Sequence, residues 1–185
     1  MHDGFQLRVA LGLGGLSDTL TLDWPVGITT VEIDGTARGG SIAFHLGIGG
    51  QVAEGLTLGG YLLTETLTNP TIEFEGTQIT SNVDVGTLGM LGVFVDYYLN
   101  AHGGFHLGGG LGAATLKTTD SAGNTSDADQ QPAGGGAMFL IGYDWWVGDQ
   151  WSMGILGRIT AAGLRGDRIK HDLGALAVLF SVAYH

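Results

Sequence analysis

The chain contains no cysteine, only three prolines and few charged residues among its 185 positions. The absence of cysteine excludes a disulfide framework, a thiolate metal site and a cysteine nucleophile. Charged residues account for 14% of the chain, whereas roughly 25% is typical of soluble domains. A protein surface in contact with water would need more charge than this sequence offers.

Basic residues are especially scarce. Only seven lysines and arginines stand against 18 acidic residues, which gives a formal net charge of -11. Binding to nucleic acid draws on positive charge to neutralise phosphates, so this composition excludes a nucleic-acid-binding protein. No run of about 18 apolar residues occurs, which excludes a transmembrane helix. The opening MHDGFQ lacks the basic and apolar regions of a signal peptide, so we expect the export signal to be absent from this chain.

Glycine is abundant, and the apolar residues alternate with polar or small ones at a period of two. This period is typical of β-strands with two different faces, and helical periodicity is hard to find. Eight segments share the pattern: residues 5–13, 40–50, 56–66, 86–98, 104–116, 135–147, 151–162 and 173–184. We expect one all-β domain over residues 1–185, folded as an eight-stranded antiparallel up-and-down barrel.

The connections between these segments alternate in length. About 26 residues separate the first two strands, and long polar stretches also follow the third and fifth. Tight turns (VAEG, NAHG and GDQ) join the second and third, fourth and fifth, and sixth and seventh strands. Long loops therefore lie at one rim and short turns at the other, as in bacterial outer-membrane barrels. Ten acidic residues from Asp18 to Asp129 are expected to make the long loops negatively charged.

The two faces of the strands differ sharply in chemistry. Large apolar residues share one face, as Phe5, Leu7, Val9 and Leu11 do on the first strand. A soluble barrel would turn this face inward, and its outer surface would then consist largely of glycine and alanine, with too few charges to keep it soluble. We therefore expect the apolar face to contact lipid and the small, polar face to line a narrow lumen, with every backbone group paired in the closed sheet.

All five formal charges within the eight segments lie on the face opposite the large apolar residues, together with two histidines. Unpaired charges would be costly in a narrow interior, so we expect them to form a network of ion pairs and hydrogen bonds. The expected lumen network comprises Arg8, His45, Glu65, Asp96, His106, Asp144 and Arg158.

Aromatic residues concentrate at the strand ends next to the tight turns. Amphipathic rings favour the headgroup region of a membrane, so this band is expected to form a girdle at the periplasmic rim. Its core members are Phe5, Tyr97, Phe105, Trp145, Trp151 and Tyr184. Tyr98 and Trp146, which directly follow two of them in sequence, are assigned to the same girdle.

These residues resemble the small eight-stranded outer-membrane barrels of the OmpA, OmpX and OmpW type over nearly the whole chain. The resemblance rests on HDGFQLRVALGLGG at the N-terminus, the alternating loop lengths, and ALAVLFSVAYH at the C-terminus. The closing strand looks like the signal that the barrel-assembly machinery recognises, although Tyr184 is penultimate and His185 follows it. The HDGF opening is also similar to barrel proteins of myxobacterial type.

The resemblance implies an integral protein of the Gram-negative outer membrane, with outer-membrane lipids, lipopolysaccharide and the assembly machinery as partners. We expect a monomer with a structural or passive role and a mostly filled lumen, without cofactor, metal site or catalytic residues. The alternatives are a narrow OmpW-like, porin-like pore or channel for a small hydrophobic ligand, and a lipid-modifying enzyme. For the enzyme, Ser41, His171 and Asp172 are the candidates, though no spacing joins them. A soluble lipocalin-like carrier is a further alternative.

Overall fold

The computed structural model describes residues 4–26, 29–74, 77–80, 85–100, 104–119, 131–166 and 169–185. These residues form β-strands joined by turns, because period-two alternation and frequent glycine favour a pleated sheet. The strands are β1 Phe5–Val26, β2 Thr29–Ala53, β3 Leu56–Phe74, β4 Thr77–Thr80, β5 Val85–Tyr98, β6 Phe105–Thr119, β7 Ala133–Trp146, β8 Trp151–Arg165 and β9 Ile169–Tyr184.

Eight of these strands close into an antiparallel barrel. The order around the ring is β2-β1-β9-β8-β7-β6-β5-β3, and pairing of β3 with β2 completes it. The short β4 pairs with the end of β3 and lies outside the ring. The predicted eight-stranded up-and-down barrel is confirmed. Closure leaves no free edge in the ring, which satisfies the backbone groups of all eight strands.

The strands are staggered around the barrel. The ladder can be followed from Leu16 once around the ring, and it returns to Gln6, ten positions earlier on β1. The intermediate partners are Ala175, Thr160, Met138, Gly110, Phe94, Gly59 and Gly49. Such a stagger tilts the strands, and in a ring of eight strands it encloses an interior just wide enough for side chains.

The long connection expected between the first two strands is mostly regular sheet. The β1–β2 ladder continues from Gly14 paired with Ser41 to Val26 paired with Thr29. Beyond Leu16 the outward positions become Ser17, Thr19 and Thr21, so the apolar alternation that marked the strand in the sequence stops. β-Branched threonine still suits an extended strand whose outer side meets water, which explains the longer ladder.

Two other predicted connections are also shorter than expected. The stretch after the third segment continues β3 to Phe74 and folds back as β4, and β8 and β9 extend to Arg165 and from Ile169. Asp18, Asp34 and Glu73 therefore lie on strands rather than in loops. Other acidic residues expected in the loops, such as Asp120 and Asp129, lie outside the described residues.

Burial alternates along most of the ring strands, although the first three residues of β7 are all exposed. On β8 it switches at each position from Trp151 to Arg165, except that Gly157 is half-buried instead of exposed. The outward residues are large and apolar and the inward ones are small, polar or tightly packed. In the described part of the chain, no helix is long and apolar enough to span a membrane.

Candidate functional site: the barrel lumen

The seven residues expected in the lumen network all project from the inner wall. Each lies at an inward position of its strand, and each is 4% exposed or less. They come from seven of the eight ring strands: Arg8 on β1, His45 on β2, Glu65 on β3, Asp96 on β5, His106 on β6, Asp144 on β7 and Arg158 on β8. The network therefore depends on barrel closure.

Arg8 spans the lumen to the opposite wall, because its partners lie on β5 and β7, the two strands that flank β6, which stands directly opposite β1 in the ring. Its guanidinium donates from Nη1 to Asp96 Oδ2 at 2.8 Å and from Nη2 to Asp144 Oδ2 at 2.7 Å. It also donates to the Tyr98 hydroxyl at 2.6 Å, and that hydroxyl donates to Asp144 at 2.6 Å. We call Arg8, Asp96, Tyr98, His106 and Asp144 the Arg8 cluster.

His106 completes this cluster between the two carboxylates. Its Nδ1 lies 2.8 Å from Asp96 Oδ1, and its ring stacks on Tyr98 with centroids 4.8 Å apart. Glycines leave room for these groups: a Cβ at Gly142 would collide with the His106 ring, and one at Gly154 with an Asp144 carboxylate oxygen. The guanidinium thus holds two carboxylates that would otherwise repel each other.

A second ion pair crosses the lumen between β8 and β3, which are also four strands apart around the ring. Arg158 Nη2 donates to Glu65 Oε1 at 2.7 Å, and Nη1 donates to the Phe44 carbonyl at 2.9 Å. The Ser41 hydroxyl donates to the other Glu65 oxygen at 3.0 Å. We call Arg158, Glu65 and Ser41 the Arg158 cluster. β8 lies two strands from β1 in the ring, so Arg158 and Arg8 extend into the lumen from different walls.

His45 belongs to neither the Arg8 cluster nor the Arg158 cluster. Its ring stacks nearly parallel on Tyr61, with centroids 6.2 Å apart, and its Nδ1 is buried without a hydrogen-bond partner. Aromatic packing, rather than an ion pair, therefore holds His45 in the interior.

An apolar layer fills the lumen on the long-loop side of the Arg8 cluster, and it surrounds the Arg158 cluster, because Glu65 stands between Leu63 and Leu67 on β3. Its members touch one another and are almost fully buried. They include Leu16, Tyr61, Leu63, Leu67, Leu88, Met90, Phe94, Leu116, Met138, Leu140, Leu164 and Leu173. Most of the ring strands contribute to it, so the layer closes across the interior.

The analysis of the sequence missed a polar pair beyond this layer. His171 on β9 lies with its Nδ1 2.9 Å from Asp18 Oδ2 on β1, and both side chains are buried. The signal was available, because Asp18 continues the inward register of Arg8 and Leu16 by even steps. His171 was grouped with Asp172, which lies at an exposed, outward position.

The described residues contain no cluster of three or more histidine, aspartate or glutamate side chains arranged to hold a metal ion. In the Arg8 cluster the guanidinium occupies the space between the carboxylates. Ser41 contacts Glu65, His171 contacts Asp18, and Asp172 is exposed on the outer face, so the structure does not bring together the three residues considered for catalysis.

Two solved structures share this architecture. The chain aligns with neisserial surface protein A (NspA) at a TM-score of 0.61 and 10% identity, covering 98% of this chain and 97% of that one. With the outer membrane protein OprG from Pseudomonas aeruginosa the TM-score is 0.54 at 15% identity, and the alignment covers 100% of this chain and 98% of OprG. The chain has the fold of the small outer-membrane β-barrels. No protein-family model and no curated protein sequence matches it significantly. Sequence identities this low show a shared fold but do not show a shared function.

The aromatic residues assigned to the tight-turn rim of the barrel divide between the outer and inner faces. Phe5, Tyr97, Phe105, Trp145 and Trp151 are exposed on the outside, and Tyr184 packs beside them, with centroids 6.4 Å from Phe5 and 5.2 Å from Trp151.

Tyr98 and Trp146 were wrongly assigned to the girdle. Tyr98 belongs to the Arg8 cluster, and Trp146 packs against His185 with centroids 4.6 Å apart. Each follows an outward residue, so strict alternation turns it inward.

Proposed function

We propose that the chain is an integral outer-membrane barrel with a structural role and an occluded lumen. The observation that carries this proposal is the filled interior: two ion-pair clusters span the ring, and an apolar layer closes it on the long-loop side. An ion that entered the apolar layer would lose its hydration beside apolar side chains, while Arg158 and Glu65 at the same level are already paired with each other, and this loss is costly. The filled interior therefore favours a rigid barrel over a continuous aqueous pore.

The outer surface supports a membrane location. Leu13, Leu91, Val93 and Leu111 are each about two-thirds exposed or more. Many other large apolar side chains of the ring strands are exposed beside them. Such a continuous apolar band would drive association in water, whereas lipid solvates it. Together with the fold, this band favours the outer membrane as the location of the protein.

Lipopolysaccharide is the proposed lipid partner at the long-loop end. Arg165 and Lys170 lie directly opposite each other on β8 and β9, and both are exposed on the outer face. An anionic phosphate placed between them would contact both cations. On β9 the outward residues Val178, Phe180 and Tyr184 form the alternating apolar pattern expected of a strand that the assembly machinery recognises.

We propose no catalytic activity. The Ser41 hydroxyl is buried and donates to Glu65, so its proton is directed to a carboxylate inside the Arg158 cluster. A nucleophilic serine also needs space for a substrate beside it, and burial in this cluster opposes that.

Conductance across a planar bilayer tests the occluded lumen. The purified barrel should show no discrete current steps above leak. A variant that opens the apolar layer, Leu63→Gly/Leu88→Gly/Leu140→Gly, should show steps because it removes three fully buried leucines. The matched control, Leu13→Gly/Leu91→Gly/Leu111→Gly, removes three outward leucines and should remain silent. Discrete steps from the unmodified barrel would overturn the proposal.

A further inference from the structure

A small cavity lies inside the barrel at the long-loop end, and the outermost leucines of the apolar layer form part of its wall. Its volume is about 140 Å³. The wall is mainly apolar, formed by Leu16, Leu20, Leu67, Ile72, Leu116 and Leu173, with alanine, proline and glycine between them. A dry apolar cavity of about 150 Å³ is large enough for one benzene ring. This space therefore suits a small aromatic or aliphatic molecule.

The polar part of the wall is concentrated at one place. Asp18, His171 and Thr118 also line the cavity. Asp18 is only 6% exposed, and its Oδ2 is engaged by His171 while its Oδ1 is buried without a hydrogen-bond partner. A carboxylate oxygen buried without a donor carries a free-energy cost. A ligand that supplies the missing donor would recover this cost.

We propose that this cavity is a binding site for a small apolar molecule that carries one amino group. The apolar part of the ligand packs against the leucines, and its ammonium donates to Asp18 Oδ1. A charge-assisted hydrogen bond of this kind is stronger than a neutral one, so an ammonium is preferred to a hydroxyl. Neither an anion nor a plain hydrocarbon satisfies the carboxylate. The site can be tested apart from the proposed occlusion, because Leu63, Leu88 and Leu140, which the conductance test replaces, do not line the cavity.

Methyl NMR of the purified barrel in detergent micelles tests the proposal, with benzylamine, toluene and phenylacetate as probes. Benzylamine should shift the methyl signals of Leu16, Leu67 and Leu116 in a saturable manner. Toluene should bind more weakly, and phenylacetate should cause no saturable shift. The outward methyls of Leu13 and Leu91 report partition of each probe into the micelle.

Two variants locate the interaction. Asp18→Asn keeps the shape of the side chain and removes its charge, so benzylamine should bind at least about tenfold more weakly. Asp172→Asn removes a charge at the outward face near the same rim and should leave binding unchanged. Ala37→Phe adds a ring at the cavity wall and should abolish binding, which gives a second test if Asp18→Asn does not fold.

Three results would overturn the proposal: no saturable shift at the cavity methyls, equal binding of benzylamine and phenylacetate, or equal effects of Asp18→Asn and Asp172→Asn. Conductance of the unmodified barrel bears only on the occluded lumen, so the failure of one proposal is distinguishable from failure of the other.

Discussion

Single side chains reach across this barrel because its interior is narrow. Arg8 donates to Asp96, Tyr98 and Asp144 from one guanidinium. A guanidinium is planar and carries five N–H donors, so one group can bind all three acceptors. The buried carboxylates depend on this single cation, since His106 is the only other basic group that contacts them in the described structure. A buried network of this kind is costly when incomplete.

Replacement of Arg8 alone should therefore lower the free energy of unfolding more than replacement of Arg8, Asp96 and Asp144 together. Arg8→Met leaves Asp96 and Asp144 facing each other without their cation, and we expect a loss of about 3–5 kcal/mol in the free energy of unfolding. The triple variant Arg8→Met/Asp96→Asn/Asp144→Asn removes the charges together and should recover most of that loss. Urea unfolding in lipid bilayers measures both. A triple variant less stable than Arg8→Met would contradict this account of the cluster.

Within each strand, glycine at inward positions makes the packing of larger neighbours possible. On β7, Gly142 stands between Leu140 and Asp144, and a Cβ there would meet the His106 ring and a Leu156 methyl group. On β9, Gly174 is exposed on the outside, and an added Cβ would meet nothing within 4 Å. The many glycines of this chain therefore have different roles according to the face they occupy.

This difference predicts unequal effects of the same substitution. Gly142→Ala should lower the free energy of unfolding by about 1–3 kcal/mol, because overpacking forces the buried neighbours from their positions. Gly174→Ala is the matched control and should change stability little. The temperature at which the folded and unfolded bands interconvert on a detergent gel provides the measurement. Equal behaviour of the two variants would show that lumen packing at Gly142 is loose.

At the scale of the whole molecule, charge is separated by position. Arg8 and Arg158 are inside the barrel, while the other described cations, Arg38, Lys117, Arg165 and Lys170, lie toward the long-loop end of the outer face. An outer-membrane barrel with this orientation would present these cations to the phosphates of the outer leaflet.

Lipid A should therefore stabilise the reconstituted barrel against thermal unfolding. Arg165→Ala/Lys170→Ala should lose about 1 kcal/mol of this stabilisation per removed charge. The control is Arg38→Ala, because Arg38 stands opposite Ser17 and Thr71 rather than a second cation and should contribute less. Equal stabilisation of all three proteins by lipid A would count against phosphate binding at this pair.

The sequence alone determined the class of fold and the face on which each side chain was expected. Alternation at a period of two is a local property, and it assigned Arg8, Asp96 and Arg158 to one face and Val93 and Phe180 to the other. The structure has these faces on the inside and outside of the barrel, respectively. Local alternation could not reveal where β1 and β2 end, because the outward residues become polar once the strands pass beyond the apolar band.

The tertiary structure decided which residues meet. The stagger between Leu16 and Gln6 around the ring sets the height of each side chain, and it brings Arg8 to Asp96 and Asp144 while Arg158 reaches Glu65. The same stagger joins Asp18 to His171, which are 153 positions apart. Such pairs depend on strand register and closure, and these are properties of the assembled sheet rather than of any one segment.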